Sequence, residues 1–201
     1  MRAGTDARRE QLLSVARRRF LADGYAQTSV SAIVREAGVA QGTFYIYFKN
    51  KEQLLVHLRR EVLLAYLEAF RAGTDAQLTC DARLVGGIAE IYASVAEHRA
   101  LVKVFRQATT GEQTERIWLD GRETLSRPLA ELIRAGVRDQ SFRVDDPRMS
   151  AHLLLALFDD LLYEALEYEK PAPGDTTLRH SCRFMLRALG VAEPRIDELV
   201  P

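Results

Sequence analysis

Apolar residues recur at helical spacing along almost the whole chain, and no stretch alternates apolar and polar positions as a half-buried strand would. Leu12, Leu13, Ala16 and Phe20 fall on one face of the opening segment, while Arg8, Arg9 and Arg17 to Arg19 fall mostly elsewhere. Ala, Leu, Glu and Arg are abundant, and only 6 of the 201 residues are Pro. The expected fold class is therefore all-α. Breakers and caps divide the pattern. A first helix is expected over about 6–22, closed by Asp23-Gly24. A short second helix sits on Val30, Ile33, Val34 and Ala37, capped by Thr28 or Ser29 and broken by Gly38. A third spans roughly 41–47. Asn50 and Gln53 approximate a capping box and open a long fourth helix over about 51–71. Further helices are expected near 81–97, 99–108, 112–135, 147–167 and 176–189, separated by Gly136, Asp145-Asp146-Pro147 and the Pro/Gly stretch 170–174.

Composition narrows the class. An apolar fraction of 47% and a charged fraction of 28% are those of a globular chain able to bury a core without staples. No apolar run exceeds six residues, so no segment is expected to cross a bilayer, and the opening residues have no secretory signal pattern. With only two cysteines, Cys80 and Cys182, free thiols in a reducing cytoplasm are the simpler reading. The formal net charge is zero, but residues 1–52 carry nine Lys/Arg against five Asp/Glu. A basic head on an acidic body suits an end that binds a polyanion, though an excess of four charges over fifty residues also arises without function.

The head carries the chemistry. Thr28 to Val39 has the proportions of a helix-turn-helix, two short helices meeting at a glycine. In the segment 40–48, Phe44 and Phe48 lie four apart and can anchor a helix inward. Gln41, Thr43, Tyr45 and Tyr47 then project outward with hydrogen-bonding tips, and Gly42 permits close approach of another molecule. Hydroxyls suit phosphate oxygens, and glutamine can read a base edge in the major groove. Lys49 and Lys51 follow. The competing reading makes Tyr45 and Tyr47 half-buried packing aromatics.

The runs Phe20-Leu21-Ala22-Asp23-Gly24-Tyr25, Thr28-Ser29-Val30, Ala37-Gly38-Val39 and Gly42 to Glu52 stand in register over about fifty residues. This block resembles the TetR/AcrR family of bacterial regulators. The resemblance implies a helix-turn-helix domain over 1–50 and a helical effector-binding and dimerisation domain over 51–201. It implies operator contacts at Thr28, Ser29, Ser31, Gln41, Gly42, Thr43, Tyr45, Tyr47 and Lys51. One position departs from the family pattern: Ala40 stands where serine commonly caps the recognition helix, so about 1 kcal/mol of capping is missing.

The resemblance further implies a homodimeric repressor, released from a palindromic operator by a small apolar or aromatic molecule, with no cofactor, no metal and no catalysis. The aromatics of the central helices, Tyr66, Phe70, Tyr92, Phe105, Trp118, Phe158 and Tyr163, are the candidates for the pocket, with Asp159 beside them. Each can equally be plain core. Arg106, Gln107 and His98 could add polar contacts. The acidic balance of the body favours a neutral or cationic effector, with Asp159, Asp160 and Glu164 as partners for a cation, while local arginines such as Arg106 could outweigh that balance and admit an acyl or acidic ligand. The pair Asp159-Asp160 also invites a magnesium-dependent synthase reading, but Glu164 is one residue too far and no second motif follows. The four histidines are scattered rather than set at ligand spacing. A binding or scaffolding protein that kept the head without reading DNA is the other class left open. For the dimer, the apolar stretch 151–158 and a face of Cys182, Met185, Leu186 and Leu189 are the expected contact.

Overall fold

The computed structural model describes the backbone of residues 2–108, 112–167 and 175–201, and the side chains of 7–95, 97–108, 123–158 and 176–201. Nine helices and no strand lie among the described residues: α1 (Arg2–Asp23), α2 (Val30–Glu36), α3 (Gln41–Tyr47), α4 (Lys51–Ala72), α5 (Cys80–Gln107), α6 (Glu112–Arg138), α7 (Pro147–Glu167), α8 (Asp175–Ala188) and α9 (Glu193–Leu199). They form two compact units. The first comprises Met1–Val62 with His98–Ile117, and the second Leu63–Glu97 with Trp118–Pro201. The head as a packed unit thus takes in the first turns of α4 and the residues 98–117, beyond the expected border at residue 50.

In the first unit, Leu12, Leu13, Ala16 and Phe20 are buried on α1, as their spacing requires. They share the core with Ile33, Phe44, Phe48, Leu54 and Leu58, each at most 1% exposed. Polar ties fix the same arrangement. The Gln11 amide donates to the Ala37 carbonyl at 2.8 Å. Arg18 pairs with Glu36 at 3.0 Å, Arg19 reaches the same carboxylate, and Arg17 pairs with Glu61 of α4. Gly38, at φ +62°, takes the left-handed conformation that the turn between α2 and α3 needs.

The second unit departs from expectation in four places. One continuous α5 replaces the two helices expected over 81–108, because Glu97-His98-Arg99 contains no breaker or cap. Helix α6 runs through Gly136 to Arg138. That glycine marks a close approach rather than an end: a Cβ there would lie 2.1 Å from the Phe142 ring, itself 2% exposed. A short α9 follows, with Pro194 in its first turn and Ile196 fully buried. It is fastened by Arg195, which donates to Asp81 at 2.8 Å and to Thr79 at 3.0 Å. Finally, Cys182, Met185 and Leu186 on α8 and Leu189 just after it turn inward and are buried within the chain, so they cannot form the expected pairing face. On α7 and α8 the exposed large apolar side chains among the described residues are instead Met149, Leu153 and Leu157, one turn apart on α7, and Phe184 on α8.

Candidate functional site

In the first unit, Ser29 caps α2 by accepting the Ala32 N–H at 3.1 Å. Helix α3 starts at Ala40 without a side-chain cap, as the sequence implied. Phe44 and Phe48 are buried with ring centroids 5.7 Å apart, and they pin one side of α3. The opposite side presents Gln41, Gly42 and Tyr45 to solvent, with Thr43 and Tyr47 half-buried beside them. Ser29 and Ser31 are exposed at the start of α2. The structure adds a residue that the sequence reading passed over. Ile46, between the two tyrosines, is 74% exposed and is the most exposed large apolar side chain among the described residues. Its alternation with polar neighbours hid it, although an uncovered β-branched side chain suits a thymine methyl in the major groove.

Two of the expected contact residues serve the fold. Thr28 is 2% exposed, and its hydroxyl donates to the Gly24 and Arg19 carbonyls at 2.8 and 3.3 Å. The Lys51 ammonium donates to the carbonyls of Tyr25 and Thr28 at 2.7 and 2.8 Å and lies 4.2 Å above the Tyr25 ring. Burial lowers its pKa from the ordinary lysine value. Together they close the loop between α1 and α2, leaving Lys51 one N–H at most for a phosphate. On α1, Arg8, Arg9 and Arg17 to Arg19 are engaged by side chains of the same unit, whereas Arg35 and Lys49 carry exposed charges with no side-chain partner among the described residues. The Arg9 guanidinium, packed 5.8 Å from the Phe48 ring, donates to His57 Nδ1 at 2.9 Å. Burial first, then the charges of Arg9 and Arg60, hold the His57 pKa below its ordinary value.

The second unit holds a narrow, largely apolar pocket that is partly open to solvent. Helix α4 supplies Leu67 and Phe70; α5 supplies Leu84, Ile88 and Ile91; α6 supplies Leu125, Pro128 and Leu129. Leu154, Leu155 and Phe158 of α7 and Met185 of α8 complete it. Among the described residues, Phe70 and Phe158 of the expected aromatics line this wall, which is otherwise mainly aliphatic. Tyr92 lies behind it, its ring 5.7 Å from Phe158 and its hydroxyl beside Ser181. Tyr66 is buried in the same unit, off the wall. Phe105, Arg106, Gln107 and His98 belong to the first unit. The side chains of Trp118, Asp159, Asp160, Tyr163 and Glu164 lie outside the described residues. Cys80 and Cys182 are buried free thiols. Burial, helped by a hydrogen bond to Asp139, pushes Cys80 up to about 11, and burial alone pushes Cys182 up to about 12. Neither is a reactive thiolate at neutral pH. Among the described residues no group of His, Cys, Asp and Glu is placed to hold a metal, and no helix is long and apolar enough to cross a membrane.

A buried-backed short helix with a hydrogen-bonding outer face, set behind a glycine turn, defines a helix-turn-helix DNA-binding protein. Residues 12–58 match the family model for bacterial regulatory proteins of the tetR family. Over 199 residues the chain is 27% identical to the HTH-type transcriptional repressor KstR2 of Rhodococcus jostii, covering 96% of this chain and 95% of that protein. It is 36% identical to the fatty acid metabolism regulator protein of Bacillus subtilis, over 74 residues that span 37% of this chain and 38% of that one. The crystal structure of RolR in complex with resorcinol superposes with a TM-score of 0.69 at 18% identity, covering 100% of this chain and 96% of that one. The family-model match over the head and the curated relatives together indicate a TetR-family transcriptional regulator.

Proposed function

We propose that the protein is a repressor that binds a palindromic operator as a homodimer and leaves it when a small apolar molecule enters the cavity of the second unit. The observation that carries the DNA-binding part is the outer face of α3. Gln41, Gly42, Tyr45 and Ile46 stand exposed on a helix that Phe44 and Phe48 hold rigidly from behind. Gln41 and Ile46 read bases, while Ser29, Ser31, Thr43, Tyr45, Tyr47, Arg35 and Lys49 hold phosphates.

The exposed stripe of Met149, Leu153 and Leu157 on α7, with Phe184 on α8, supports pairing of two copies. Such a dimer reads half-sites one DNA turn apart, roughly 34–36 Å. The aliphatic wall supports an aliphatic effector over an aromatic one. Helix α4 contributes to both units, so a ligand that displaces Leu67 and Phe70 acts on the same helix that carries Lys51 and His57. That the relatives are transcriptional regulators speaks against catalysis. Electrophoretic mobility shift with genomic fragments tests the reading. A specific fragment should be bound with an affinity that falls steeply as salt rises, by counterion release. A protein that selects no fragment, or binds with no salt dependence, refutes it.

A further inference from the structure

Resting on the effector reading above, we propose that the ligand is an anionic amphiphile: an unbranched alkyl tail in the cavity and a carboxylate or phosphate head held by Arg71 and Arg127. The narrow cavity offers its occupant almost nothing but carbon. A second recess in the same unit, of opposite character, shares two of its lining residues, Leu67 and Pro128. Its wall adds Arg71, one helical turn beyond Leu67 on α4, and Arg127, next to Pro128 on α6. A single ligand can therefore place its tail against the aliphatic side of Leu67 and Pro128 and its head on the polar side.

Neither guanidinium has an ion pair or hydrogen bond among the described residues. Yet Glu123 and Glu131 line the same recess one turn before and after Arg127. Two planar forks with no partner among the described residues, beside two carboxylates, can bind a carboxylate or phosphate in bidentate fashion. This local arrangement outweighs the acidic balance of the body, from which a neutral or cationic effector was expected. The mainly aliphatic lining suits a flexible hydrocarbon tail.

The test uses the full-length protein and three probes below their micelle concentrations: dodecanoate, dodecyl phosphate and 1-dodecanol. Calorimetry should show both anions binding at least tenfold more tightly than the alcohol. In R71Q/R127Q, which alters two exposed side chains and should leave the melting curve unchanged, the anions should fall to the affinity of the alcohol while the alcohol is unaffected. A preference between the two anions names the head group. Across octanoate, decanoate and dodecanoate, affinity should rise roughly fourfold per methylene until the slot is full. If dodecanol binds as tightly as dodecanoate, or if the double variant still prefers anions, the head-group assignment is wrong while the effector reading stands. If no probe binds and none releases operator, the cavity is not the effector site and both fall together.

Discussion

Lys51 and Gln41 were expected to touch DNA, and their surroundings separate them. Lys51 spends two donors on backbone carbonyls of the loop preceding α2. Replacing it with Met should therefore cost the first unit roughly 1–3 kcal/mol in chemical denaturation, since a charged donor to two carbonyls is lost. An unchanged denaturation midpoint would mean that the ammonium is a phosphate ligand after all. Gln41 is exposed, so Gln41→Ala should leave the midpoint alone and relax discrimination at one operator position by roughly 1–3 kcal/mol, measured on a panel of single-base operator variants. His57 gives a pH signature. Its folded pKa is held below 6.5, so between that value and the folded one the unfolded chain binds more protons. Stability of the first unit should fall as pH drops below about 6.5, and His57→Gln should flatten that slope. A wild-type melting temperature rising on acidification through that range would contradict the Arg9–His57 contact. None of this was legible from residue types, because a lysine bonded to carbonyls and one facing phosphate have the same neighbours in sequence.

Among the elements, the head was read most completely. The bounds of α3 and the Ser29 cap follow from local rules: a cap, a glycine and an i, i+4 aromatic pair. The second unit was harder, since tertiary contacts decide there. Gly136 looks like punctuation in the sequence, but its conformation is helical and its small size admits the Phe142 ring. Gly136→Ala should lower stability by roughly 1–3 kcal/mol through overpacking, despite the better helix propensity of alanine. A gain in stability would show that the ring has room. The inward face of α8 was mistaken for a contact face because periodicity marks an apolar stripe without saying what covers it. Helix α9 escaped notice because it is seven residues long and is anchored by Arg195 to Asp81, more than a hundred positions away. Beside the expected Phe70 and Phe158, the described wall of the pocket is mostly leucine and isoleucine, which carry no distinguishing signal in a helical protein.

For the whole molecule, the exposed stripe on α7 makes assembly testable. Leu153 is 56% exposed at the middle of that stripe. Leu153→Glu should yield a folded monomer by light scattering and greatly weakened operator binding. A mutant that stays dimeric would move the interface elsewhere. The central claim joins the two units: what fills the cavity of one governs the DNA affinity of the other. Linkage requires that a ligand weakening operator affinity by some factor bind the operator-bound protein more weakly by the same factor. Calorimetric titration of dodecanoate into the protein, free and saturated with its operator, measures both sides of that cycle. The account predicts weaker binding to the DNA-bound form, matched by an equal loss of operator affinity when ligand is present. Equal ligand affinity in the two states would show that the cavity does not control the head.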